Sequence, residues 1–266
     1  MTTGKNRFVF VACSYNMSRT LPQMLMSIVG QSYDNWKVCV TDDVSDPEHI
    51  EESIRVIERF YDFMGPDGKK KLFFYGNTRK KWEVENVLTM IRADCEDDDI
   101  VCRIDADDWL TELDALAYLN AIYEQTGAEA LWTGHRWAFT DKNISGPMPQ
   151  GVDVYQYPWV SSHLKTFRKR LINGIPYENF TNQNGDLVRR AGDQCLYLPV
   201  LHKAQKRGFV PRVMYHYTID EQGGAVYQTD DAKFQKAEAD FIRARGYVTQ
   251  GKAWEDVQTS SHSISG

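Results

Sequence analysis

The chain lacks several features that would mark whole classes of protein. Its five cysteines (Cys13, Cys39, Cys95, Cys102 and Cys195) are odd in number and form no Cys-x-x-Cys pair. A disulfide frame or zinc site is therefore excluded, and the thiols read as reduced core residues of a cytoplasmic protein. No long hydrophobic run is present. The early apolar stretch from Phe8 to Cys13 is too short for a signal-peptide core or a membrane span. The Asn-x-Ser/Thr triplets at Asn143 and Asn179 then read as chance matches. Basic residues are not in excess: the net charge is −6, which argues against a surface built as a nucleic-acid stripe. Glycine is missing from the loop that follows the first apolar run, Ser14 to Arg19. What remains is a chain of 266 residues, long enough to bury a sizeable core without cross-links.

Apolar runs and helical stripes alternate through the first half. Residues 8–13 and 36–41 read as buried strands, as do 71–75 and 100–104. Between them lie helix signals. Thr20 precedes Leu21-Pro22 with an apolar face ending at Gly30, and Asp46 precedes Pro47. Residues 83–93 read as helix, and Thr111 is placed to cap another that carries Leu113, Leu116 and Leu119. This alternation predicts an α/β fold with a doubly wound, mostly parallel sheet flanked by helices. Such sheets bind ligands beyond the carboxyl ends of their strands. The loops carrying Asn16, Asp43, Arg79 and Asp105 all fall at that edge.

The second half is less regular. Strand is expected within 132–140, a loop over 141–158, helix over 161–171 and 194–206, strand over 212–217 and helix over 231–245. Residues 1–130 then form a nucleotide-binding half. Residues 131–250 form a smaller α+β half, and 251–266 a Ser-rich tail.

Asp105-Ala106-Asp107-Asp108 carries the strongest chemical signal. Three carboxylates in four residues repel one another unless a cation holds them, and hard oxygen ligands suit Mn²⁺ or Mg²⁺. A second acidic run, Asp94 to Asp99, precedes its strand and reads as a solvated loop at the opposite edge. His216 lies between two tyrosines and is either a third metal ligand or a structural residue. His163, near Lys165, Arg168 and Lys169, either meets phosphate or belongs to a solvated basic helix face, and the second reading is favoured. Trp109, Trp132, Trp137 and Trp159 are candidates for stacking on a sugar ring or for core.

Four ordered segments resemble family 2 glycosyltransferases of the GT-A fold. They are Val9-Phe-Val-Ala-Cys-Ser-Tyr-Asn16, Gln31-Ser-Tyr-Asp-Asn-Trp36, Val40-Thr-Asp-Asp-Val-Ser-Asp46 and the metal-binding Asp-x-Asp at Asp105-Ala-Asp-Asp108. The resemblance implies a nucleotide-sugar donor, UDP-sugar favoured, and transfer to an acceptor hydroxyl with inversion by direct displacement. By the same resemblance the backbone near Ala12 and Cys13 and the side chain of Asp43 hold the base. Arg79 lies along the base or diphosphate, Asp105 reaches the ribose or metal, and Asp107 binds the metal. Gly192-Asp193-Gln194 stands where the family usually carries Glu-Asp, which makes Asp193 the catalytic base. A carboxylate there would take the acceptor's proton while a divalent ion steadies the leaving diphosphate.

Two other readings stay open. One is a nucleotidyltransferase, disfavoured by the missing glycine-rich loop. The other is a non-catalytic nucleotide-sugar or glycan-binding protein, prompted by the absent Glu beside Asp193. The acceptor is a glycan, a lipid-linked sugar, a protein, a small molecule or a modified nucleic acid base.

Overall fold

The computed structural model describes residues 5–138, 140–218 and 230–257. Chain order gives β1 (Phe8–Ser14), α1 (Leu21–Val29), β2 (Trp36–Asp42), α2 (Pro47–Met64), the single turn α3 (Gly68–Lys71), β3 (Leu72–Gly76) and α4 (Trp82–Asp94). Then follow β4 (Ile100–Asp105), β5 (Trp109–Leu110), α5 (Ala115–Thr126) and β6 (Ala130–Trp137). The rest are β7 (Lys165–Arg168), α6 (Gly192–Lys203), β8 (Arg207–Tyr217) and α7 (Asp230–Arg245).

All eight strands join one sheet in the order β3-β2-β1-β4-β7-β6-β8-β5. The first four are parallel, with Cys13 paired to both Thr41 and Asp105. Their apolar runs are continuous because both faces are covered. Phe8, Phe10 and Ala12 pack with α1, α2 and α5 on one face, while Val9 and Val11 pack with α4 and α6 on the other. The sheet passes without a break from β4 through β7 to β6, so it crosses residue 130. This is a mixed α/β architecture, a mostly parallel sheet flanked by helices, as the alternation of strands and helices predicts.

Four local expectations need correction. Residues 161–171 are not a helix: β7 is inserted between β4 and β6 and is antiparallel to both. The expected solvated basic face is therefore absent, and Lys165 is only 2% exposed. Thr111 does not cap α5. It donates to the Val213 carbonyl, and the helix starts after Asp114. The acidic run before β4 is solvated as expected at Glu96, Asp97 and Asp98, but Asp94 and Asp99 at its ends are drawn in and paired. Asp99 accepts Arg7 Nε at 2.8 Å, Asp94 accepts Lys37 Nζ at 2.6 Å, and Asp97 accepts Lys169 Nζ at 2.8 Å.

Residues 251–257 include a short turn in which Trp254 is buried against Phe180, and residues 258–266 lie outside the described part. All five cysteines are free thiols. Among the described residues no helix is long and apolar enough to cross a membrane.

Candidate active site

The carboxyl ends of β1, β2 and β4 open onto a cleft of about 300 Å³, the lower end of the range for small-molecule sites. Of the residues singled out from sequence, Cys13, Asp43, Asp105 and Asp107 line it together. Ala12 is fully buried one residue back, paired with Val40 and Ile104.

Asp43 organises the loop after β3. Its Oδ1 accepts Asn77 Nδ2 at 2.9 Å and the Lys81 amide at 2.8 Å, and its Oδ2 accepts the Trp82 amide at 2.9 Å. Two neighbours pay in backbone strain: Val44 and Trp82 have φ of 64° and 63°, a region bulky and β-branched residues avoid. The hydrogen bonds of Asp42 and Asp43 hold them there. Asp42 takes the Ser45 amide and hydroxyl at 2.9 and 2.5 Å.

The Asp105–Asp108 turn is clamped from both sides. Thr20, at the start of α1, donates to the Ala106 carbonyl at 3.1 Å. On the far side the Thr218 hydroxyl donates to the Asp107 carbonyl at 2.6 Å. Asp108 is wholly engaged in structure, with Oδ2 accepting Tyr215 Oη at 2.6 Å and Oδ1 accepting the Thr218 amide at 2.7 Å. Asp107 instead faces the cleft. Burial, with Asp105 adding repulsion, pushes its carboxyl up to about 6. Burial likewise raises Asp108 well above the carboxylate range.

Crowded carboxylates whose charged forms are disfavoured by burial and by one another are a fitting seat for a cation, which favours their ionised forms. Asp105, Asp108 and His163 each bring one possible ligand atom within 4.8 Å of the others, although both Asp108 oxygens already accept from Tyr215 and Thr218. Two oxygens and a neutral imidazole suit Mn²⁺ better than a thiol-seeking ion. Burial and the nearby Lys165 push the His163 imidazole down to about 3, so it stays neutral, and its ring lies between those of Tyr215 and Tyr217. His216 stands apart from this group. Its ring stacks 3.7 Å from that of Trp109, opposite it across the β5–β8 pair.

Three groups were not singled out from sequence. Arg103 in β4 is 5% exposed, and its Nη2 donates to Glu83 Oε1 at 2.9 Å and to Asp105 Oδ1 at 2.5 Å. Glu83, from the first turn of α4, lines the cleft; burial and nearby Asp193 and Asp105 push its carboxyl up to about 7 against the pull of Arg103. Lys80, Arg189 and Arg190 form a basic rim around the Trp82 ring. A sequence signal existed only for Lys80, two residues before Trp82; Arg189 and Arg190 reach the same ring from a distant segment.

Arg79 is not among the residues lining the cleft. It pairs with Glu85 at 2.5 Å. Asp193 sits in the first turn of α6, with Oδ1 2.5 Å from Lys165 Nζ and Oδ2 3.9 Å from His163 Nε2. Burial alone would raise its carboxyl, but Lys165, His163 and Arg103 outweigh it and hold Asp193 well below the carboxylate range. Trp132 is fully buried, its indole N–H on the Gly146 carbonyl, which makes it core.

No curated protein matches the chain by sequence. Among solved structures, the 1–349 fragment of S. aureus TarS superposes with a TM-score of 0.62 at 14% identity, over 89% of this chain and 70% of that one. The same fragment has been solved with UDP-GlcNAc, where the chain spans 59% of it, and the chain spans 43% of the longer TarS structure. The mannosyltransferase PcManGT from Pyrobaculum calidifontis, solved with GDP-Man and Mn²⁺, gives a TM-score of 0.63 at 16% identity, over 94% of this chain and 66% of that one. At such identities these likenesses establish the fold. The family model described as "Glycosyl transferase family 2" matches residues 9–185, more than half of the chain. The chain therefore belongs to glycosyl transferase family 2 and is an enzyme of glycosyl transfer.

Proposed function

We propose that the chain moves a sugar from a nucleoside-diphosphate donor, preferably a UDP-sugar, to an acceptor hydroxyl, with inversion and with help from Mn²⁺ or Mg²⁺. One observation carries the reading: Asp43, Asp105 and Asp107 share a single cleft with Lys80, Arg189 and Arg190. Carboxylates and cations together suit a metal-bridged diphosphate, whereas either alone would not. In this reading the backbone at Ala12 and Cys13 and the side chain of Asp43 hold the nucleoside. Asp107 holds the divalent ion, with Asp105 beside it. The basic rim takes the diphosphate, a role first given to Arg79. A bound ion supplies positive charge where the leaving diphosphate gains negative charge.

On the acceptor side Asp193 takes the proton of the attacking hydroxyl. Lys165 keeps that carboxylate ionised and fixes its direction. Residues 1–130 supply most of the donor site, Arg189 and Arg190 join it from the second half, and residues 131–250 otherwise serve the acceptor, which is a glycan, a lipid-linked sugar or another hydroxyl compound. The five unpaired thiols support a reducing compartment, the cytoplasm. The test is a melting screen of nucleotide sugars with Mn²⁺, followed by transfer assays with the best donor. A rise specific to one nucleoside with Mn²⁺ is the expected result. No shift with any nucleotide sugar would overturn the reading.

A further inference from the structure

Glu83 carries more than an acid at the start of a helix would. Its carboxylate turns inward instead of toward solvent, leaving the side chain 22% exposed. A Cβ added to Gly192 would overlap the Glu83 carboxyl carbon and Oε2 and lie 3.0 Å from Oε1. Gly192 is the first residue of α6. The volume in which a side chain of residue 192 would begin is thus filled from another element, α4. This is the position where the family pattern carries the Glu that is absent here.

The same carboxylate reaches the donor side. Its Oε1 accepts Arg103 Nε at 3.0 Å and Nη2 at 2.9 Å, and that Nη2 also donates to Asp105 Oδ1. Cys13 Sγ approaches the Glu83 carbonyl at 3.9 Å and ties the turn to the end of β1. The next residue back, Trp82, is held by Asp43. Glu83 therefore touches a chain of contacts that ends at Asp105 on one side and at the helix bearing Asp193 on the other.

We propose that Glu83 is a positioning residue for glycosyl transfer. It braces Asp105 through Arg103 and seats the first turn of α6, and so sets the distance between the donor-side carboxylate and Asp193. This rests on the function proposed above. Misplacing reacting groups by about 1 Å costs on the order of 100-fold in rate, so a strut of this kind acts on turnover more than on donor affinity.

The test combines turnover with melting. The probe is Mn²⁺ with whichever of UDP-glucose, UDP-galactose and UDP-GlcNAc the wild type turns over fastest, by hydrolysis or transfer. Glu83→Gln keeps the shape and one acceptor oxygen but loses the charge that pairs with Arg103. It should melt close to wild type, lose about tenfold or more in kcat and change donor KM by less than about threefold. Gly192→Ala should lower the melting temperature when Glu83 is present and have little effect in Glu83→Ala, because the overlap is gone. Full kcat in Glu83→Gln, or equal destabilisation by Gly192→Ala in both backgrounds, would overturn the role. If the wild type turns over no nucleotide sugar, the functional reading fails first and this role falls with it. An active wild type with an equally active Glu83→Gln sinks the role of Glu83 alone.

Discussion

Lys165 Nζ lies 2.5 Å from Asp193 Oδ1 across the gap between β7 and α6. The lysine is buried and the aspartate keeps 36% of its side-chain exposure, so the pair is half in water. Removing the cation leaves a carboxylate without its main partner. Lys165→Met should cost about 1–3 kcal/mol in urea denaturation, below the ~3–5 kcal/mol of a fully buried pair. The pH dependence has a definite sign. Asp193 is depressed in the fold, so its stabilisation is present above the unfolded carboxyl value and lost as pH falls toward the folded one. In Lys165→Met that loss should begin at higher pH. The acid limb of turnover should move up with it.

Asp107 faces the cleft while its neighbour Asp108 is consumed by Tyr215 and Thr218. The two substitutions should therefore separate. Asp107→Ala should fold normally, lose the melting shift given by Mn²⁺ and donor, and drop turnover on the order of 100-fold or more. Asp108→Ala should instead lower the melting temperature of the apoprotein. Differential scanning fluorimetry with and without Mn²⁺ distinguishes them.

The raised Asp107 carboxyl also sets a pH window. Its proton is favoured in the fold, so the apoprotein loses stability from this group as pH rises from the ordinary 3.8 to about 6. A divalent ion competes with that proton. The Mn²⁺-induced rise in melting temperature should be small near pH 5 and larger near pH 7, a trend fluorimetry across buffers would measure. A shift that shrinks over that range would count against Asp107 as the metal ligand.

Asp43 satisfies two backbone amides, at Lys81 and Trp82, that stand at the start of α4 and have no helical carbonyl to pair with. Asp43→Ala should cost about 1–3 kcal/mol through those unpaired groups. It should also raise donor KM more than it lowers kcat, because the residue is proposed to meet the nucleoside and not the reacting bond. Initial-rate kinetics over a donor series resolve the two.

The parallel half of the sheet was legible because its strands are apolar without interruption and its loops carry the polar residues. Phe8 to Cys13 and Ile100 to Ile104 announce themselves, and with them the edge at which Asp43 and Asp105 stand. Strand β7 was not legible. Lys165-Thr-Phe-Arg168 has a buried cation at its start, and that burial is explained only by Asp193, 28 residues on. Glu83 was missed for a related reason. An acid in the first turn of a helix has an ordinary local explanation, and the inward turn of its side chain depends on Arg103 and Gly192. The family resemblance set Asp107 apart as the metal ligand but gave no partner for Asp108. Only the return of β8 supplies one.

Successive residues of β1 feed opposite sides of the sheet, Phe8, Phe10 and Ala12 one way and Val9 and Val11 the other. Deleting one amino acid from this strand would exchange the two sets, forcing rings into room made for valine and valines into room made for rings. It would also pull Cys13 out of step with Thr41 and Asp105. The central strand thus acts as a shared ruler, and a frame error within it would reach both interiors and the catalytic rim at once.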